Sequence, residues 1–242
     1  MITVIILAAG AGRRLYPLTK DKPKCLLELE KDFTILEHIV SNLPKQIKEI
    51  MIVCGNGEKE IQNFVLEKLH KYNLPIQLVK NDFKFKENFY SLYLGLSKVE
   101  EGQDVIIINS DVVSDKSIFR DLLAADGSSL VVDIRKELDE EDMKVQIENG
   151  YIKKIGKNLD PKVCQGEYIG LAKISSKDIH SLKEALESMI NNKIEDWYER
   201  AFQIMIDKGA KLGVVDTRNR VWCEVDTLED LEKARKCYAK IK

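Results

Sequence analysis

Thr3-Val-Ile-Ile-Leu-Ala-Ala-Gly-Ala-Gly-Arg-Arg-Leu-Tyr-Pro-Leu-Thr-Lys-Asp-Lys-Pro-Lys-Cys-Leu-Leu27 joins a short apolar run to a loop almost without side chains, and that loop to two groups of cations. Thr3 to Leu7 is β-branched and apolar, the composition of a strand covered on both faces in the middle of a parallel sheet. Ala8, Ala9, Gly10, Ala11 and Gly12 leave their backbone N–H groups open to close approach by an anion. Arg13-Arg14 and Lys22-Pro23-Lys24 follow. A small-residue turn with fixed cations beyond the carboxyl end of a strand suits a nucleoside triphosphate, because open α/β sheets bind ligands at that edge. Other phosphate motifs fit less well. A dinucleotide fingerprint wants a third glycine where Leu15 stands, and an acid at the end of the second strand where Cys54-Gly55 stand. A P-loop needs Gly-Lys-Ser/Thr, which this stretch does not contain. Met1 to Ala9 has no cationic flank and runs straight into Gly10, so a core strand is expected rather than a secretory leader.

Outward from this stretch, strand-like runs alternate with helical patterns, which predicts βαβ units. The strands are expected at Thr3–Leu7, Glu49–Cys54, Ile76–Val79, Val105–Asn109 and Ser129–Ile134. Thr34 with Glu37 reads as a capping box for a helix through Leu43, and Glu58 to His70 carries Ile61, Phe64, Val65, Leu66 and Leu69 on a helical period. A further helix is expected from about Asn88. Met143 to Ile155 alternates and is broken by Asn149-Gly150, a hairpin signature. Glu167–Ile174 reads as a strand, Ser175 and Asp178 as a capping-box-like helix opening, and Trp197–Lys208 as a helix. Leu212–Val215 and Val221–Val225 read as strands, and Thr227 with Asp230 as the cap of a last helix. The fold class expected is α/β: a Rossmann-like, mostly parallel mixed sheet flanked by helices, with a small β-hairpin appendage. No linker or repeat interrupts residues 1–242, so one domain is expected.

The bulk composition narrows the function. The chain has 242 residues, 44% hydrophobic and 32% charged, with formal net charge −2, enough for a sizeable core. Basic residues are dispersed among acidic ones, so no footprint for nucleic acid or an anionic membrane stands out, and small-molecule chemistry is expected. Cys25, Cys54, Cys164, Cys223 and Cys237 are odd in number and show no C-x-x-C spacing, which suits a reducing cytoplasm. No apolar run approaches the roughly 20 residues of a membrane-spanning helix.

Asp111 follows the almost wholly apolar Val105–Asn109 strand, where its carboxylate emerges at the carboxyl edge beside the glycine-containing loop. Asp226 lies in Trp222-Cys-Glu-Val-Asp-Thr, between another strand and a helix start. Two carboxylates delivered to one edge suit Mg²⁺, which takes few carboxylates together with phosphate oxygens and waters. The bland alternative is that an Asp beside a helix-opening Thr is a cap or turn residue.

The opening stretch, with Asn109-Ser110-Asp111 and Glu224-Val-Asp226-Thr, resembles the nucleotidyltransferases that make activated sugars and phosphorylated alcohols, over nearly the whole chain. The resemblance implies a nucleotide-diphospho-sugar transferase-like fold, and a reaction that joins a nucleoside triphosphate to a phosphorylated small molecule with release of pyrophosphate. It implies that Gly10 to Arg13 wraps the nucleotide and that Lys24 lies against the phosphates. The nucleotide contacts expected are Leu7, Ala8, Ala9, Gly10, Gly12, Arg13, Asn88, Ser91 and Ser110, with Arg13 and Lys24 catalytic and Asp111 and Asp226 binding the metal.

A phosphate monoester has a second pKa of about 6, so its attacking oxygen is already ionised at pH 7 and no general base is required. His38, His70 and His180 fall within helix patterns away from these motifs. Positioning and charge neutralisation remain for Arg13, Lys24 and the metal.

Phe83 to Leu96 resembles the matching stretch of cytidylyltransferases acting on phosphocholine, aminoethylphosphonate and similar acceptors, which implies CTP as the nucleotide. Gly166-Glu-Tyr-Ile-Gly170 matches a family segment whose Glu faces the acceptor. Glu167, Tyr168, Trp197 and Glu224 are the acceptor residues expected, with Tyr198 and Trp222 as further aromatic faces for a quaternary ammonium. By base rate, at least one tryptophan is expected in the core. Two alternatives remain: a sugar-1-phosphate uridylyl-, guanylyl- or thymidylyltransferase, and a non-catalytic nucleotide-binding subunit, against which the complete cationic and acidic set argues.

Overall fold

The computed structural model of the chain describes residues 1–44, 46–55, 57–85 and 87–242. Its strands are β1 (Ile2–Ala8), β2 (Glu28–Glu30), β3 (Phe33–Thr34), β4 (Ile47–Cys54), β5 (Ile76–Lys80), β6 (Asp104–Asn109), β7 (Val112–Ser114), β8 (Ser129–Asp133), β9 (Lys144–Glu148), β10 (Tyr151–Gly156), β11 (Gly166–Ile174), β12 (Gly213–Asp216) and β13 (Trp222–Glu224). The helices are α1 (Ile35–Ser41), α2 (Glu58–Phe64), α3 (Phe89–Leu96), α4 (Lys116–Ala124), α5 (Ile179–Asn191), α6 (Glu199–Asp207) and α7 (Leu228–Ile241).

Nine strands form one sheet in the order β5-β4-β1-β6-β11-β8-β12-β10-β9, and β9 also pairs with β11. β1 runs parallel to β4 and β6, β4 parallel to β5, and β8 parallel to β12. β11 runs antiparallel to β6, β8 and β9. The sheet is thus mostly parallel, as the alternating pattern predicts, with β11 reversed near its middle. The reversal brings the amino end of β11 to the same edge as the carboxyl ends of β1, β5, β6 and β8. The hairpin β9–β10 turns through Asn149 and Gly150, both at positive φ (52° and 81°), and is attached at the far end of the sheet.

Alternation within β1 explains the two-faced core. Val4 and Ile6 join a cluster with Ile35, Leu36, Ile61, Phe119 and Leu231, from α1, α2, α4 and α7. Ile5 and Leu7 join the other, with Phe89, Leu92, Leu182, Phe202 and Met205 from α3, α5 and α6. Both faces of the central strands are therefore dry, the condition under which an unbroken β-branched run is stable. Gly95 lets α3 sit low on β1, since a Cβ there would come within 2.8 Å of Ile5 Cγ2.

Several local expectations change. The pattern over Glu58–His70 is not one α-helix: α2 stops at Phe64, widens into a π turn over Val65–Leu69 and ends in a 3₁₀ turn at His70–Tyr72. Thr34 Oγ1 accepts from Glu37 N–H, but the Glu37 carboxylate does not return the bond, because Tyr72 and Lys71 engage it. Ser175 and Asp178 form no capping box, since the Asp178 carboxylate accepts instead from Ser128 Oγ. Thr227 and Asp230 form the complete reciprocal box at the start of α7. α4, which the sequence reading passes over, is capped by Asp115 accepting from Ser117 N–H. Among the described residues no helix is long and apolar enough to cross a membrane.

Candidate active site

A cleft of about 820 Å³ opens along the carboxyl edge of the sheet. Leu7, Ala8, Ala9 and Gly10 form one wall, where β1 gives way to the loop. Gly12 turns that loop at φ +59°, the left-handed conformation that favours glycine, and Thr19 Oγ1 donates to its carbonyl at 2.7 Å. A 3₁₀ turn over Arg13–Leu15 follows, its buried Leu15 anchoring it. Gly12 and Arg13 are not among the lining residues; Arg13 is exposed, and Arg14 is the arginine that reaches the acids, 2.8 Å from Asp226 Oδ2.

The centre of the cleft is Lys24, at the start of the 3₁₀ turn Lys24–Leu26. Its Nζ lies 2.5 Å from Asp111 Oδ2 and 3.0 Å from Asp226 Oδ1. Burial works against this ammonium, yet the charges of Asp111 and Asp226 outweigh it and hold Lys24 above the ordinary lysine pKa. The two acids, far apart in sequence, meet because β7 and β13 pair antiparallel, Glu224 opposite Val112, and Val225 N–H then donates to Asp111 C=O at 3.0 Å. Glu224 extends the group: one carboxylate oxygen from each of Asp111, Glu224 and Asp226 lies within 4.8 Å of the others. Desolvation, then the charges of Asp111 and Asp226, push the Glu224 carboxyl up to about 8, although the residue as a whole is exposed to the cleft solvent.

The donor set fits a divalent cation. Asp111 Oδ1 is buried without a hydrogen-bond partner among the described residues, and the acids beside it supply hard oxygen ligands.

On the β5 side, Asn88 and Ser91 both line the cleft, and neither acts as a side-chain cap of α3. Asn88 Oδ1 accepts from Tyr198 N–H at 2.9 Å, and Ser91 Oγ accepts from Asn81 Nδ2 at 2.8 Å. Asn81, one residue past β5, escaped the sequence reading; the rule that ligands gather at strand carboxyl ends is the signal that would have found it. Ser110 is buried and lines the same floor.

The opposite half is built on β11, the end of β8 and α6. Lys136 Nζ bridges Glu167 Oε2 at 2.6 Å and Asp142 Oδ1 at 2.7 Å. Burial lifts the Glu167 carboxyl to about 7, with Lys136 opposing the rise. The loop carrying Asp142 is pinned by the buried Lys144, whose ammonium donates to the carbonyls of Asp139, Glu140 and Asp142. Tyr168 and Tyr198 are buried edge-on, their hydroxyls 2.8 Å apart, and Tyr198 Oη also donates to Asn109 Oδ1. Tyr198 therefore offers no face to a ligand, contrary to expectation. Both tryptophans line the cleft; Trp197 is exposed, while Trp222 is partly buried and packs against a core cluster. Trp222 Nε1 donates to Asp133 Oδ2 at 2.7 Å, and Lys157 Nζ lies 4.6 Å from the Trp197 ring centroid. Arg14, Asn109, Lys136, Asp142, Lys157 and Glu199 line the site without having been assigned to it from the sequence. Of these, Arg14, inside the Arg13-Arg14 pair, and Asn109, inside Asn109-Ser110-Asp111, carried a local signal.

Residues 4–158 match the family described as MobA-like NTP transferase domain. The chain is 30% identical, over 98% of its length, to the bifunctional IPC transferase and DIPP synthase of Aquifex aeolicus, and spans about half of that protein (52%). It is 29% identical to the CTP:phosphoglutamine cytidylyltransferase of Campylobacter jejuni, over 96% of this chain and 98% of that one. The solved inositol-1-phosphate CTP transferase from T. maritima superposes with a TM-score of 0.83 at 25% identity, over 99% of this chain and 96% of that chain.

Proposed function

The chain belongs to the MobA-like NTP transferase domain family, and we propose that it transfers CMP from CTP to a phosphorylated small molecule, releasing pyrophosphate, with Mg²⁺ as its metal. The observation that carries this reading is Lys24 set between Asp111 and Asp226 at the mouth of the small-residue loop. A cation held by two acids beside open backbone N–H groups is the arrangement a triphosphate and its metal require. The names of the Campylobacter and T. maritima relatives support CTP as the nucleotide.

Asp111, Asp226 and Glu224 would hold Mg²⁺. Bound there, the ion supplies neutralisation of phosphate charge. The rest falls to the chain. Loop amides of Ala8, Ala9 and Gly10 face the phosphates, with Gly12 setting the turn and Arg13 and Arg14 flanking it. Lys24 stays protonated and stabilises charge developing at the α-phosphate. Asn88, Ser91 and Ser110 hold the base and ribose, and Asn81 fixes Ser91 through its hydrogen bond. On the acceptor side Glu167, Trp197, Trp222 and Glu224 line the approach. Tyr168 lines the same half, its hydroxyl held by that of Tyr198.

No side chain is needed as a base, since the acceptor phosphate is ionised at neutral pH. His38 agrees with that: it is buried against Ser114, away from the cleft. The test is a pyrophosphate-release screen of CTP, UTP, GTP and dTTP against phosphocholine, 2-aminoethylphosphonate, inositol 1-phosphate and glucose 1-phosphate. Release with CTP and a non-sugar acceptor is expected. Release confined to UTP, GTP or dTTP with the sugar phosphate would refute the reading, as would nucleotide binding without release from any pair.

A further inference from the structure

Past the end of β5, Phe85, Phe89, Tyr90 and Tyr93 pack on one another. Phe83 stands apart. Among the described residues it belongs to neither core cluster and, at 48% exposure, lines the cleft beside Asn81, Asn88 and Ser91. Its backbone is costly as well: Phe83 lies at φ +55°, and the other non-glycine residues at positive φ, Asp32, Asn73 and Asn219 among them, are all polar. A left-handed backbone is an outlier for a bulky side chain and persists only where the surroundings enforce it.

Asn81 enforces it. The Asn81 Oδ1 accepts from Phe83 N–H at 2.7 Å, its Nδ2 donates to Ser91 Oγ at 2.8 Å, and its own N–H donates to Cys54 C=O at 2.8 Å. The Phe83 ring lies where Gly55 has no side chain: a Cβ on Gly55 would come within 2.9 Å of Phe83 Cε1 and 2.7 Å of the Ala9 carbonyl oxygen. The ring therefore stands beside the loop that follows β1, next to the hydroxyl of Ser91. An apolar face fixed between polar groups and a phosphate-sized loop suits a flat heteroaromatic ring, which stacks through its face and hydrogen-bonds through its edge.

We propose that Phe83 is the platform on which the base of the incoming nucleotide stacks, its strained backbone holding the ring in the cleft. The ring supplies affinity for any base, because every base has a π face, while the polar groups at the base edge, Asn88, Ser91 and Ser110, choose among bases. Asn81 serves both tasks, through Phe83 N–H on one side and Ser91 on the other. The proposal rests on the nucleotide reading of this cleft and is independent of the acceptor.

Calorimetric titration of CTP, UTP, ATP and inorganic tripolyphosphate with Mg²⁺, without acceptor, tests it. Phe83→Ala removes a side chain outside both core clusters. It is expected to weaken every nucleotide that the unaltered protein binds by about 5- to 100-fold, the scale of one lost base–aromatic stack, and to leave tripolyphosphate binding unchanged. Phe83→Tyr keeps the π face and is expected to bind nucleotide as the unaltered protein does. Tripolyphosphate binding that falls in step with nucleotide binding would make Phe83 a support of the loop and overturns the proposal. So does nucleotide affinity unmoved in Phe83→Ala, a loss in Phe83→Tyr equal to that in Phe83→Ala, or no nucleotide binding by the unaltered protein. Nucleotide binding that depends on Phe83, with no pyrophosphate released from any acceptor, upholds the platform and refutes cytidylyl transfer. Pyrophosphate release with the same KM for CTP in Phe83→Ala upholds transfer and refutes the platform.

Discussion

Lys24 does two jobs at one atom. Its ammonium keeps two carboxylates from repelling each other and presents a fixed positive charge to the cleft. Replacing it with alanine removes transition-state stabilisation on the scale of a lost oxyanion donor, so Lys24→Ala is expected to lower kcat by about 10²-fold or more. Steady-state pyrophosphate release checks this, and unchanged turnover would take Lys24 out of the mechanism. Asp111→Asn keeps the shape of the side chain and removes the charge next to its unpartnered oxygen. The expected outcome is loss of Mg²⁺-dependent activity across a Mg²⁺ titration; a normal metal response would refute the assignment. Lys24, Asp111 and Asp226 were legible because each stands at a punctuated position, beside Pro23 or just beyond a strand. Lys136 was not, because its role comes from a partner distant in sequence, Glu167.

At the scale of elements, Asp226 depends on its neighbours on both sides. β13 brings it in, and the reciprocal Thr227–Asp230 box fixes the start of α7 immediately after it. Thr227→Ala should cost about 1 kcal/mol of stability, as loss of an N-cap does. Urea denaturation measures this, and an unchanged midpoint would show that the box contributes nothing. This box could be read from sequence because both partners lie within one turn. The resemblance of Ser175 and Asp178 to a box misled for the complementary reason: Ser128, distant in sequence, captures the Asp178 carboxylate. α4 carries its own local signal, Asp115 as cap with Ile118, Phe119 and Leu122 on one face. The break in the helix after Phe64 had no such local mark.

One contribution to the whole molecule's response to acid comes from His38. It is buried, with its Nε2 3.0 Å from the Ser114 carbonyl oxygen, and burial lowers its pKa to about 4, with the Ser114 carbonyl opposing the fall. Between about pH 6.5 and 4 the unfolded chain binds a proton there that the folded chain does not, so stability falls as pH drops through this window, by up to about 3 kcal/mol. Glu167 and Glu199, raised to about 7, act in the opposite sense between about pH 4.5 and 7, because there the folded state binds the extra proton. Comparing variants isolates the histidine: His38→Gln is expected to lose less stability than the unaltered protein between pH 7 and 4.5. Parallel denaturation profiles for the two would refute this.

The reversed strand β11 has a consequence for how such a molecule can change. The nucleotide wall is made of loops that follow strand ends, and loops accept insertions and deletions at little thermodynamic cost. Glu167 and Tyr168 instead stand on β11 itself, hydrogen-bonded to strands on both sides. One residue added or lost in the regularly paired stretch at Glu167–Tyr168 would turn the neighbouring side chains of the strand to the opposite face of the sheet. New acceptors must therefore be accommodated by exchanging side chains at constant length, while the grip on the nucleotide is free to vary in length. Divergence among chains of this architecture should accordingly show substitutions on one wall of the cleft and gaps on the other.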